Sequence, residues 1–307
     1  MPKSPPAPDI AVLLPSWVLS LRADRKSPQT IKSYSDAARL YISWCEAEGA
    51  TPLDRTSLRR WTTSLLDGGA APATVRARQL GMRRYAAWLL DEGEITEDPF
   101  VGIKPPRLDS TVTEPLTEEE LRALLKACEP GRDADPNDLF RGRRDEAILR
   151  LMLETGARAG EIVAIELADL DLAGGNVIIR RGKGGKGRSV PFGPHTAKAI
   201  DRYARVRNRH RLASSPALWL GDRGKGFTYD ALHKTLGARA SAAGIARFHP
   251  HIMRHTAAHR WLAAGGSEGG LMAVAGWTRP DMLMRYTRAR ASARAAEEAA
   301  RLNLGDL

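Results

Sequence analysis

DPFVGIKPPRLDSTVTEPLTEEELRALLKAC, residues 98–128, is the stretch on which the organisation of this 307-residue chain turns. Pro99, Pro105, Pro106 and Pro115 fall within seventeen consecutive positions. Each removes a backbone donor and disfavours helix in the residue before it. The segment therefore reads as an extended linker, with a domain boundary at 105–114. Immediately after it, LTEEELRALLKAC restarts helical periodicity, with Thr117 as the N-cap and three acids in the first turn, where they meet the positive end of the helix dipole.

Upstream of the boundary the pattern is helical. SPQTIKSYSDAARLYISWCEAEG (27–49) opens on a cap-like Ser-Pro, places Ile31, Tyr34, Ala38, Tyr41, Ile42 and Cys45 at helical spacing, and stops at Gly49. DRTSLRRWTTSLLDGG (54–69) and APATVRARQLGMRRYAAWLLDEG (71–93) are further helices; the last carries Arg76, Arg78, Arg83 and Arg84. Residues 8–104 are thus expected to form a small α domain of three to five helices. Downstream, RDEAILRLMLETG is a helix ended by Gly156. GNVIIRRGKGGKGRSVPFG is two short β runs joined by a Gly-rich turn, and helix resumes from 194. The expected fold is two-domain: an N-terminal all-α unit, then a mixed α+β unit over 115–290, mainly α with a small β-sheet. An Ala-rich tail helix over 291–307 follows.

The chain carries a formal charge of +11 and a pI near 10.0. The excess lies in residues 180–290, while residues 1–179 are net acidic. Clustered Lys and Arg attract a polyanion and release its counterions, so nucleic acid is the expected partner. Two cysteines, Cys45 and Cys128, imply no disulfide scaffold and a reducing compartment. MPKSPPAPDI lacks the shape of a signal peptide, and AVLLPSWVLSL is too short to span a bilayer. A soluble, cytoplasmic protein with no membrane partner is expected.

Four motifs carry candidate chemistry. ETGARAGEIVAIELADLDL (154–172) sets Arg158 just after a helix-ending glycine, with Glu161 three residues on. RRGKGGKGRSVPF (180–192) fails the phosphate-loop template, since no Ser or Thr follows either lysine. It reads instead as a basic β-turn, with Lys183, Lys186 and Arg188 able to approach a nucleic-acid groove where glycine lets the backbone come close. FHPHIMRHTAAHRWLAAGG (248–266) holds four histidines, but Thr256 stands where the zinc motif H-E-x-x-H needs glutamate, so no metal is expected. The alternative there is His251-x-x-Arg254, one turn of one helix face. Finally AGWTRPDMLMRY places Tyr286 nine residues after Trp277.

Each motif is weak alone, but their order is specific. "TGARAGE", "RGKGGK", "PHIMRH", "AGW" and "RY" together resemble the tyrosine recombinases, or phage integrases, over about residues 10 to 290. Many relatives have His where this chain has Trp277, and some have Trp. The resemblance implies a core-binding α domain followed by a catalytic domain, the two closing on a duplex. It implies metal-free strand cleavage and rejoining, with no cofactor. Tyr286 would be the nucleophile that forms a 3′-phosphotyrosine and releases a 5′-hydroxyl. Arg158 and Arg254, always charged and bidentate, would hold the phosphate. Trp277 can donate one indole N–H but cannot shuttle a proton. His251 is the candidate base or second phosphate donor. Lys183 is the candidate general acid, with Lys186 its rival, and Glu161 would orient the first arginine. Arg76, Arg78, Arg83, Arg84, Lys186 and Arg188 are candidate DNA contacts. The implied partners are double-stranded core sites, a homotetramer on DNA joined by exchange of the C-terminal tail, and accessory bending or directionality factors. Three readings stay open beside a mobile-element or phage integrase: a Xer-type chromosome dimer resolvase, a type IB-like topoisomerase, and an inactive DNA-binding relative. From the length, the extra N-terminal arm-binding domain of lambda-type integrases is not expected.

Overall fold

A computed structural model describes residues 8–108, 114–180, 187–222, 224, 226–279 and 283. The chain divides into two compact units, Met1–Thr111 and Val112–Leu307.

The first unit is built from α1 (Ile10–Ala23), α2 (Pro28–Glu48), α3 (Arg55–Asp67) and α4 (Pro72–Asp91). Their starts follow capping chemistry. Asp9 accepts from the amides of Ala11 and Val12, Ser27 from Thr30, and Asp54 from Ser57. Helix α1 is a fourth helix, within the three to five expected, beside the three whose bounds the sequence marks, and Pro15 lies inside it. Its buried stripe, Ile10, Leu14, Trp17 and Leu21, explains why it forms regardless: tertiary burial outweighs one lost backbone bond. The core joins those side chains to Tyr41, Leu58, Trp61, Met82, Tyr85, Leu89 and Phe100. Trp17 stacks on Tyr85 at 4.5 Å between ring centroids. The hydroxyls of Tyr41 and Tyr85 donate to the carbonyls of Pro52 and Ile10. Helices α2 and α4 cross closely at Gly81, where a Cβ would stand 2.8 Å from that of Ala37.

The second unit contains α5 (Glu118–Lys126), α6 (Pro136–Thr155), α7 (Ala159–Val163), a 3₁₀ turn at Leu167–Asp169, and then β1 (Leu170–Asp171), β2 (Asn176–Ile179) and β3 (Arg188–Pro191). These are followed by α8 (Pro194–Arg207), α9 (Tyr229–Ala242), α10 (Pro250–Ala263) and α11 (Glu268–Ala275). The sheet is antiparallel in the order β1-β2-β3. The short β1 adds to the two strands read from the sequence; a two-residue strand leaves no periodicity to detect. Ile179 pairs with Arg188 and Val177 with Val190, and Val177, Ile179 and Val190 are buried while Ile178 is exposed.

Helix α6 runs through the core of this unit, its Ile148, Leu149, Leu151 and Met152 packing among Tyr203, Trp219, Leu232, Leu236 and Ile252. Two arginines are part of that core. Arg144 pairs with Asp145 and lies 4.4 Å over the Phe227 ring. Arg207 donates to four carbonyls, of Ala213, Ser215, Ala217 and Leu218, and so pins the loop that follows α8. A smaller cluster of Ala258, Leu262, Leu271, Ala275, Trp277 and Leu283 joins α10 to α11. Among the described residues no helix is long and apolar enough to cross a membrane.

Candidate active site

The site is organised around the end of α6. Gly156 adopts a left-handed conformation (φ 59°) and caps the helix, so the chain reverses sharply and α7 begins three residues later with Arg158 as its N-cap. From α10, Arg254 reaches this turn. Its Nη1 donates to the Gly156 carbonyl at 2.7 Å, with the side chain only 1% exposed. The Arg254 guanidinium carbon also lies 5.2 Å from the centre of the Trp277 ring, within cation–π range. Trp277 follows the left-handed cap of α11 at Gly276 and is buried in the α10–α11 cluster. One turn thus brings together the elements that carry Arg158, Arg254 and Trp277, which are 119 positions apart in sequence at their extremes.

His251 stands one helical turn before Arg254 on α10 and is exposed. Its ring meets that of His255 edge-on at 4.7 Å and lies 6.4 Å from that of His249. Burial and His233 push the His249 imidazole below its ordinary value, towards the neutral form. The same helix is tied to the segment after the linker, because Thr256 accepts from the Leu116 amide at 2.9 Å. Among the described residues, no group of three His, Cys, Asp or Glu side chains has the arrangement that a metal ion needs.

Glu161 is the most heavily bonded carboxylate at the site. Oε2 accepts from the Arg158 backbone N–H at 2.9 Å, and Oε1 from Arg158 Nη1 at 3.0 Å. Arg188 adds a bidentate pair, Nη1 to Oε1 at 3.2 Å and Nη2 to Oε2 at 2.8 Å. Burial alone raises the Glu161 carboxyl, but the Arg188 hydrogen bond, the Arg158 amide and both positive charges outweigh it and hold it below its ordinary 4.5. Such a group stabilises the fold above its unfolded value, and that contribution disappears as pH falls through the depressed folded value. Glu161→Gln is accordingly expected to flatten the acid side of the stability profile. Between about pH 5 and about pH 3 the urea midpoint should fall less steeply than in the unmutated protein. Equal slopes would remove Glu161 from the acid transition.

Arg188 was expected to contact DNA, and the structure gives its guanidinium protein partners. Its side chain is 14% exposed and its guanidinium is committed to Glu161 and to the Val274 carbonyl at 2.9 Å. Strand alternation carried the signal. Val190 faces the core, so Arg188, two residues away, shares the inward side. On α4, Arg76 and Arg84 are exposed while Arg78 and Arg83 are half-buried. At about 100° per residue, Arg76, Arg83 and Arg84 share one arc of the helix, whereas Arg78 lies on the opposite side. There it lines a cleft with Lys32 and Asp36 of α2. Lys183, Lys186 and Tyr286 lie outside the described residues, as does the tail 291–307.

Against known proteins, the phage integrase family profile matches residues 114–293. Tyrosine recombinase XerC of Azotobacter vinelandii is 31% identical over 258 residues, covering 81% of this chain and 82% of that protein. Among solved structures, the Tn1549 transposon integrase in complex with transposon right end DNA shares the fold at a TM-score of 0.71 and 17% identity, over 96% of this chain and 99% of that one. A lambda integrase tetramer bound to a Holliday junction does so at a TM-score of 0.69 and 13% identity, over 92% and 78%. The chain belongs to the phage integrase family. Within that family it is a tyrosine site-specific recombinase, an enzyme that breaks and rejoins DNA strands.

Proposed function

We propose that Tyr286 attacks a phosphodiester within a duplex core site while Arg158, Arg254 and Trp277 hold the phosphate. The Tyr286 Oη–phosphorus bond forms and the phosphorus–O5′ bond breaks, giving a 3′-phosphotyrosine and a 5′-hydroxyl. The covalent bond retains the energy of the broken linkage, so the reverse attack rejoins the strand without ATP. The Gly156 junction carries this reading: two elements that each bring an arginine meet at one carbonyl, as a fixed cationic cradle for two nonbridging oxygens requires. A phenol with an ordinary value near 10 needs a base or a strongly positive site, and exposed His251 is the candidate base. Lys183, which falls between β2 and β3 in the sequence, is the general acid for the 5′-oxygen, with Lys186 its rival. Arg76, Arg83 and Arg84, on one arc of α4, are DNA contacts of the first unit, mostly to phosphates, which position without specifying sequence, while Arg78 on the opposite side could reach only a second stretch of DNA backbone. The test is an adduct trap. The protein is mixed, in EDTA, with nicked duplexes carrying candidate core sites, and a denaturation-resistant protein–DNA species supports the assignment.

Assembly on DNA is proposed to run through the tail. ASARAAEEAARLNLGDL reads as a helix that docks on a neighbouring protomer of a DNA-bound tetramer. Removing residues 293–307 is expected to impair synapsis of two sites, read by gel mobility, far more than binding to one site. Equal loss of both would count against tail exchange. On biological role, Trp277 leans towards a mobile-element or phage integrase. The likeness to XerC along most of both chains favours the second reading, a Xer-type resolvase acting on short core sites.

A further inference from the structure

Arg188 opens β3, and its one planar group bridges three chain segments. It holds Glu161 in the first turn of α7 through both amino groups and the Val274 carbonyl in the last turn of α11 through Nε. The packing against α11 is close. A Cβ on Gly276, at φ +64°, would lie 2.9 Å from the Arg188 guanidinium carbon. Both the backbone conformation and the contact therefore call for glycine there. Trp277 is the next residue.

The charge arrangement gives this bridge a purpose. Arg158 and Arg188 share one carboxylate. By occupying one position on each Glu161 oxygen, Arg188 limits Arg158 to a single side-chain bond, through Nη1. Among the described residues, Glu161 is the only side chain that Arg158 binds, and Arg158 is 32% exposed. Without Arg188, Glu161 would be open to bidentate capture by Arg158, whose guanidinium would then turn away from a substrate phosphate.

Resting on the strand-cleavage reading above, we propose that Arg188 is a positioning residue for that reaction. It acts through Glu161 on Arg158 rather than by touching DNA, and its bond to the Val274 carbonyl and its packing at Gly276 hold its guanidinium in place. Lysine cannot replace it, because a single ammonium has no planar fork to span a carboxylate and a carbonyl at once.

The test compares the full-length unmutated protein with Arg188→Gln, Arg188→Lys and Gly276→Ala. The probe is a nicked duplex whose core site is selected from random-sequence duplexes by binding to the unmutated protein. Three quantities are read: Kd with its salt dependence, the single-turnover rate of adduct formation, and the thermal melt. All three variants are expected to bind within about twofold of the unmutated protein with the same salt slope, since no phosphate contact is lost. Adduct formation is expected to slow on the order of 100-fold, the effect of losing one aligned donor at a developing oxyanion. Gly276→Ala disturbs Arg188 from the opposite side without changing any charge, so it separates position from charge. The double variant Arg158→Ala/Arg188→Gln should cleave within about threefold of Arg158→Ala alone, because residues acting as one unit are not additive. A multiplicative loss in the double variant would overturn the proposal, as would unmutated rates in the single variants. A weaker Kd with the salt slope reduced by about one would instead assign Arg188 to a DNA phosphate and overturn it. Loss of the cooperative melt in both Arg188 variants would mark a purely structural residue, with the same result. Absence of an adduct from the unmutated protein, with binding intact, would overturn the cleavage reading itself and this inference with it.

Discussion

Tyr286→Phe is expected to abolish the covalent protein–DNA adduct, by a factor on the order of 10⁴ or more, while leaving the Kd for the same duplex unchanged. The substitution removes one oxygen and nothing else. Affinity rests on cationic contacts to phosphates, which stay in place. Losing a nucleophile removes the covalent route and leaves only the residual that binding supplies. The other tyrosines give a strong internal control. The chain has six. Tyr41, Tyr85 and Tyr203 are buried in the two cores with their hydroxyls donating to the carbonyls of Pro52, Ile10 and Leu218. Desolvation raises all three, Tyr203 to about 12, so none is poised to ionise near neutral pH. Tyr34 stacks with Trp17 in the first unit, leaving Tyr229, exposed at the start of α9, as the one plausible competitor among the described residues. Tyr229→Phe should therefore trap as well as the unmutated protein. An adduct that survives Tyr286→Phe and disappears in Tyr229→Phe would move the nucleophile to α9.

What the sequence made legible was whatever rests on local rules. The linker prolines, the Ser27 and Thr117 caps, and the αL glycines at 49 and 156 are statements about a few consecutive residues, and the elements they delimit are present in the structure. The segments bearing Arg158, Arg254 and Trp277 stand out because their ordered motifs resemble the tyrosine recombinases, but the bond from Arg254 to the Gly156 carbonyl, 98 positions away, is a tertiary fact. Helix α1 has no such marked bounds in the sequence, and Pro15 lies within it; its buried stripe of Ile10, Leu14, Trp17 and Leu21 is what defines it. Arg188 shows how two local signals can point in opposite directions. Its neighbourhood is basic and glycine-rich, which argues for solvent and phosphate, while the alternation with Val190 argues for the interior. Arg188 turns inward to Glu161, a carboxylate 4% exposed that removal of a partner would leave as an undercompensated buried charge. Nothing short of the contact between β3 and α7 reveals that partner.

Arg254 is where function and stability separate most clearly. A guanidinium at 1% exposure is costly to desolvate, and replacing a buried charge with an apolar side chain of similar volume is often neutral for stability or better. Against that, the Gly156 carbonyl loses a hydrogen bond whose absence costs about 1–3 kcal/mol. The two effects oppose, so Arg254→Met is expected to move the melting temperature by only a few degrees in either direction. Its effect on cleavage should be far larger. A fixed cation beside developing phosphate charge contributes on the order of 10²–10³ in rate, and no other described side chain on α10 can replace a planar fork at that point. Arg254→Lys keeps the charge but not the fork. It should recover little of the loss, since one ammonium cannot hold the Gly156 carbonyl and a phosphate in the same geometry. The measurement is single-turnover adduct formation alongside a thermal melt, on one preparation of each variant. A fall in cleavage with the melt nearly unchanged assigns Arg254 to the phosphate. A melt that collapses in step with cleavage would make it a strut between α10 and the α6–α7 turn. Unmutated cleavage in Arg254→Met would remove it from the cationic cradle and leave Arg158 as the sole arginine proposed to hold the phosphate.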